Sequence, residues 1–224
     1  MANAIVSDKD KLGKMNQSNS EYTLSESLKS FYTSSKFTDF TIQVADKSFR
    51  VHKIVICSHS EYFLRMLNGE WKETAEDVIT LKDDPRTIEA MINFMYGFDY
   101  TNSYGGHISP MIVFAKLYAA AEFYGIPVLK EQVKTKFTAA ARTDWDRDDF
   151  PGIIREISTT TLPTDPTLRT ILAVTATEHI TLLLQKDEFM HALERCGDFA
   201  ADVVRCLVQN QSSERKEHLY RDSW

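Results

Sequence analysis

Phe37-Thr-Asp-Phe-Thr-Ile-Gln-Val44 and Phe49-Arg-Val-His-Lys-Ile-Val-Ile-Cys57 decide the fold, because the spacing of apolar residues changes character along them. Phe40, Ile42 and Val44 alternate with Thr41 and Gln43, the two-residue period of a half-buried strand. Ala45-Asp46-Lys47-Ser48 supplies turn-formers and the alternation resumes at Phe49 and Val51, which predicts a β-hairpin. From Ile54 to Cys57 the chain is apolar without alternation, as expected of a helix lying against that hairpin.

Working outward, Leu24, Leu28, Phe31 and Tyr32 recur at helical spacing, whereas residues 1–20 are polar and aperiodic and read as a disordered leader. Downstream, Ser58-His59-Ser60 offers N-caps for a short helix carrying Tyr62, Phe63, Met66 and Leu67, stopped by Gly69. Val78 to Leu81 reads as a strand. Asp84-Pro85 and Ser109-Pro110 each place a cap before a proline at the first helical position. The helices they open carry Ile88, Met91, Ile92 and Met95, then Phe114, Leu117, Tyr118 and Ala121. Ile126-Pro127 opens another through Leu129, Val133 and Phe137. The fold class is α+β. The charged run Asp144–Asp149 suggests a boundary, with an all-helical extension over 142–210 and a flexible tail over 211–224. Within the extension, Ser158 to Pro166 reads as a loop and Phe189 to Leu207 as one helical stripe, weakened at Gly197.

The 224 residues carry a net charge of −6, which argues against a nucleic-acid binder, since such proteins draw affinity from neutralising phosphates. There is no signal-like segment and no apolar run long enough to span a bilayer, so the expected compartment is cytoplasm or nucleus, without membrane attachment. Cys57, Cys196 and Cys206 form no disulfide framework, and with His191 they fit no zinc spacing. Neither a metal nor a cofactor is expected. Asp39 and His52 could suggest a catalytic dyad, but no serine or cysteine nucleophile falls at a matching spacing, and Cys57 sits in an apolar run where burial would make it inert. The chain does not read as an enzyme.

The quoted segments, followed by Ile79-Thr-Leu-Lys-Asp-Asp-Pro85, Met91-Ile-Asn-Phe-Met-Tyr-Gly97 and Leu117-Tyr-Ala-Ala-Ala-Glu-Phe-Tyr-Gly-Ile-Pro-Val-Leu129, resemble the BTB/POZ domain in order and spacing. The resemblance implies a small mixed sheet flanked by short helices over residues 21–141. With its helical extension, the layout is similar to fungal BTB-domain proteins. The resemblance also implies roles. Asp39 and Lys53, with His52 beside them, match a charged pocket near the dimer interface, although an ordinary structural ion pair would need the same residues. Leu24, Leu28, Phe31 and Tyr32 match a helix that packs across a two-fold axis, and their pattern alone cannot separate self-packing from dimer packing. Trp71-Lys72-Glu73 matches the hydrophobic-x-Glu motif of BTB adaptors for cullin-3 ubiquitin ligases, with Tyr62 and Met66 on the preceding helix as further contacts. Trp71 as a plain core cap is the alternative. The expected partners are a second copy of the chain, cullin-3 and a client protein. A homo-oligomerisation scaffold or a transcription-related BTB protein without a cullin link is the competing reading.

Overall fold

The computed structural model describes residues 23–69, 76–101, 108–162 and 164–221. The polar leader, Trp71 and Glu73 lie outside them. The hairpin forms as its alternation requires. β1 (Phe40–Val44) pairs antiparallel with β2 (Lys47–Val51), from Phe40 opposite Val51 to Val44 opposite Lys47. Lys47 and Ser48 therefore belong to the strand, and the turn tightens to Ala45-Asp46, with Ala45 at φ 51°. β3 (Val78–Leu81) lies parallel on the other side of β1, giving the order β2-β1-β3. Ile42 is set beside Ile79, and Val44 beside Leu81, all buried on one face.

Between β2 and β3 run α2 (Lys53–His59) and α3 (Glu61–Asn68). α4 (Pro85–Met95) starts where the cap-plus-proline signal places it, with Asp84 accepting from the Arg86 N–H. α5 (Pro110–Phe123) is apolar almost all round and occupies the centre, touched by α4, by α6 (Pro127–Asp144) and by α7 (Phe150–Thr160). α8 (Thr167–Glu178) packs on α6 and α7, and α9 (Ile180–Leu183), α10 (Asp187–Arg195) and α11 (Gly197–Arg221) complete the chain. A single buried cluster runs from Phe40 to Val203, so the helices beyond residue 142 share one core with the sheet and the helices before them.

Two expectations about the extension need correction. Ser158–Thr160 is helical, carried by the buried face of Ile153, Ile154 and Ile157, and its hydroxyls turn back onto the helix: Ser158 donates to the Ile154 carbonyl at 2.9 Å and Thr160 to the Glu156 carbonyl at 2.8 Å. The loop shrinks accordingly. The stripe from Phe189 to Leu207 is two helices: Cys196 leaves helical geometry at φ −111°, ψ 71°, and α11 begins afresh at Gly197. Breaking there lets Phe189 and Phe199 meet edge to face with ring centres 6.4 Å apart. α11 also keeps helical backbone to Arg221, beyond residue 211 where the polar composition suggested a flexible tail.

Asp165 fastens the extension to the central helices. Its carboxylate accepts from the Tyr118 hydroxyl of α5 at 2.8 Å and the Thr167 N–H of α8 at 3.1 Å, and it pairs with Lys130 of α6 at 2.8 Å. Burial opposes the charge on Asp165, but the bonds from Lys130, Thr167 and Tyr118 outweigh it and hold the carboxyl well below the usual range. A group with a lowered folded pKa stabilises fully above its unfolded value, about 4, and loses that contribution as pH falls through the folded value. Asp165→Asn is therefore expected to destabilise the chain by about 1–3 kcal/mol at neutral pH. Urea titrations at descending pH should show the gap between wild type and variant closing below pH ~4.

Candidate functional site

The site expected from sequence divides into three places. At the start of α2, Asp39 accepts a 2.7 Å bond from the Lys53 backbone N–H, so the carboxylate caps the helix N-terminus, where a negative charge is favoured. The Lys53 ammonium turns instead to Asp77, the residue before β3. The expected Asp39–Lys53 pocket is thus a helix cap beside a separate ion pair. His52 is buried and does not bond the strand following Asp39. Its Nε2 lies 2.8 Å from the Lys36 carbonyl and its Nδ1 2.7 Å from the Tyr96 hydroxyl. A carbonyl only accepts, so Nε2 carries the proton and Nδ1 accepts from Tyr96, whose oxygen in turn accepts the His52 N–H at 2.8 Å. Both ring nitrogens of His52 and the Tyr96 hydroxyl thus have partners within the chain. Cys57, expected to be buried, is half-exposed; burial and then the Asp39 charge push its thiol up, which keeps it protonated.

The second place is α1 (Leu24–Thr33), started by a capping box between Thr23 and Glu26. Tyr32 stacks on Tyr96 with ring centres 4.3 Å apart, and burial followed by the Glu89 charge raises its hydroxyl to about 12. Leu28 also packs on the chain's own core, and Phe31 meets Phe37 edge to face. Leu24 is 77% exposed and Phe37 78%. Of the four dimer candidates, then, Leu24 is the one facing outward.

The third place is a cleft of about 510 Å³ that brings Tyr62 and Met66 together. It exists because α3 is tied head-on to the end of α5. The Ser60 hydroxyl donates to the Tyr124 carbonyl at 2.6 Å and accepts from the Phe63 N–H at 3.2 Å, capping α3 while holding α5. The Glu61 N–H donates to the Gly125 carbonyl at 3.2 Å. Free N–H groups of one helix thereby satisfy carbonyls at the end of another. Gly125 makes the approach possible: it has φ +61°, and a Cβ there would meet the Glu61 Cβ at 3.0 Å. Behind the seam, Phe63 stacks on Tyr124 at 5.6 Å, and the Tyr124 hydroxyl donates to Asp83 at 2.7 Å; burial first, then that carboxylate, raises its pKa.

Phe123, 66% exposed, forms the opposite wall, with its ring 5.6 Å from Tyr62. It also borders two further depressions, one reaching Leu162 after α7 and one reaching Lys116 and Glu156. Three neighbouring depressions therefore share Phe123, and the α3–α5 cleft is the one that Tyr62 and Met66 line. Its rim is ion-paired: Arg65 with Glu61 at 3.1 Å, and Lys130 with Glu122 at 2.5 Å. Such a surface can seat an apolar side chain against aromatic walls. Phe123 was not singled out from sequence. The available signal was its position off the buried stripe of α5 (Phe114, Leu117, Tyr118, Ala121) just ahead of a helix-ending glycine.

Among the described residues, no group of three His, Cys, Asp or Glu side chains could hold a metal ion, and no helix is long and apolar enough to cross a membrane.

Comparison with known proteins agrees with the fold. The family model for the BTB/POZ domain matches residues 28–140, half of the chain. BTB/POZ and MATH domain-containing protein 6 of Arabidopsis thaliana is 28% identical over 108 residues, 42% of this chain and 25% of that protein. BTB and MATH domain-containing protein 15 of Caenorhabditis elegans is 36% identical over 72 residues, 31% of this chain and 26% of that protein. The chain thus matches about a quarter of the length of these relatives. The BTB domain of zebrafish PATZ1 aligns over 62% of this chain and 99% of that domain, at 16% identity and a TM-score of 0.41. The family is one of protein-interaction modules, and this chain belongs to it: it is a BTB/POZ domain protein.

Proposed function

We propose that the chain is a dimeric BTB adaptor whose α3–α5 cleft binds cullin-3 and recruits a client protein to a ubiquitin ligase. The observation that supports this reading is the cleft itself: Tyr62 and Met66, expected as contacts, line one apolar wall and face the exposed ring of Phe123. Aromatic side chains in such a position are favoured anchors, because they cover much area for little lost rotamer freedom. α3 ends at Asn68, so Trp71 and Glu73 follow directly from the helix that forms this wall. Leu24 and Phe37 supply the exposed apolar surface for a second copy.

Biolayer interferometry with the purified cullin-3 N-terminal domain tests the proposal. The unaltered chain should bind saturably. Phe123→Ala, and separately the Trp71→Ala, Glu73→Ala pair, should each weaken binding by at least about tenfold, equivalent to about 1.4 kcal/mol. If all three proteins are retained equally poorly, the chain is no cullin-3 adaptor.

A further inference from the structure

The ammonium of Lys130 on α6 stands between two carboxylates from different parts of the chain. It pairs with Glu122 of α5 at 2.5 Å and with Asp165, between α7 and α8, at 2.8 Å. The two carboxylates are therefore within about 5 Å of one another, where like charges repel unless a cation separates them. The ammonium also lies 4.9 Å from the centre of the Tyr118 ring, one helical turn before Glu122. Glu122 occupies the last turn of α5, which holds no basic residue and whose free carbonyls disfavour a negative charge. Lys130 supplies from α6 the cation that this helix end lacks. Burial opposes the lysine's charge, yet the bonds to Asp165 and Glu122 hold its pKa above the ordinary value.

Glu122 ties this bridge to the α3–α5 cleft. It lines the cleft beside Phe123, and it lines as well the depression that reaches Leu162 and Asp165. Lys130 lines neither. Phe123 thus stands between two fastenings. On one side α3 holds the Tyr124 and Gly125 carbonyls that follow it. On the other, Lys130 and Asp165 hold Glu122 and Tyr118, which precede it, against the extension. The first fixes the chain after Phe123, and the second fixes the turn of α5 before it.

We infer that Lys130 is a positioning residue of the α3–α5 cleft: by bridging Glu122 to Asp165, it lets the helical extension set where the Phe123 wall stands against Tyr62 and Met66. The extension is then part of the site although none of its residues lines the cleft. Without the ammonium, Glu122 and Asp165 face one another uncompensated, and the last turn of α5 relaxes away from the extension, carrying Phe123 with it. The effect on affinity rests on the binding role proposed above for the cleft, whereas the effect on the wall does not.

The test follows the methyl NMR signal of Met66 in the full chain labelled with methyl-13C methionine, identified by its loss in Met66→Leu. Phe123→Ala marks where that signal falls when the wall is gone. Lys130→Met, similar in length but uncharged, should move the signal toward that mark while the chain stays folded by circular dichroism. It should also weaken binding of the cullin-3 N-terminal domain at least about fivefold. Lys130→Arg keeps a cation with donors for both carboxylates, and it should restore the signal, with affinity within about twofold of the unaltered chain. Asp165→Asn breaks the bridge at its far end and should move the signal the same way, which carries the test if Lys130→Met fails to fold. A Met66 signal unmoved by the loss of charge at residues 130 and 165, not restored by Lys130→Arg, or indifferent to Phe123→Ala would each overturn the inference. A signal that moves as expected in a chain that does not bind cullin-3 supports the positioning and overturns the cullin-3 reading instead.

Discussion

Phe63→Ala is expected to destabilise the chain by about 3–5 kcal/mol, read as a lower urea midpoint with little change in slope. Phe63 is fully buried on α3, stacked on Tyr124 and edge-on to Tyr62. Truncation removes the transfer free energy of the ring and leaves a void that the surroundings cannot close. α3 is pinned at its start by Ser60 and Glu61, and Tyr124 is held through its hydroxyl to Asp83. Because neither wall is free to collapse, the cost should fall in the upper half of that range. Phe63→Leu, which refills much of the space, should cost about half as much. The loss should also reach the site, since Tyr62 and Met66 stand on the same helix turns as Phe63.

Gly125→Val should cost about 2–4 kcal/mol through a different mechanism. At φ +61° a side chain pays for left-handed backbone, and a β-branched one pays most. Added to this is contact with the Glu61 Cβ at 3.0 Å and the Glu61 backbone nitrogen at 3.5 Å, the nitrogen that bonds the Gly125 carbonyl. Gly97 provides the control. It has the same backbone sign, φ +73°, but a Cβ there would meet first the flexible end of Lys29, at 3.3 Å. Gly97→Ala should therefore show the conformational cost alone, about 1–2 kcal/mol, and Gly125→Ala should exceed it. Urea denaturation of the two alanine variants separates the terms. Combined with Phe63→Ala, Gly125→Val should cost less than the sum, because both act on one seam.

How much was legible in the sequence depended on whether a signal was local. The β1–β2 hairpin, the Asp84-Pro85 start of α4 and the buried faces of α5 and α6 follow from alternation, caps and helical period, all set within a few residues. The break at Cys196 did not: a glycine lowers helix propensity by about 1 kcal/mol, too little to choose between a weakened helix and two helices. What decides it is the packing of Phe189 against Phe199, a tertiary contact. The helical run Ser158–Thr160 was hidden for a related reason: serines and threonines compete locally for backbone hydrogen bonds and read as loop formers, and the burial of Ile153, Ile154 and Ile157 on the same helix overrides that preference. Partner assignments at the site were the least legible. Lys53 chooses Asp77 over Asp39 because the parallel pairing of β3 with β1 brings Asp77 alongside, and Phe123 becomes a cleft wall only once α3 is docked on the end of α5.

The proposed function joins two properties, a dimeric chain and cullin-3 bound at the α3–α5 cleft. Size-exclusion chromatography with light scattering, run with and without the cullin-3 N-terminal domain, tests it most directly. A dimeric adaptor gives twice the 25.7 kDa chain mass alone and a heavier species that co-elutes with cullin-3. A mass of 25.7 kDa that stays unchanged when cullin-3 is added would contradict it.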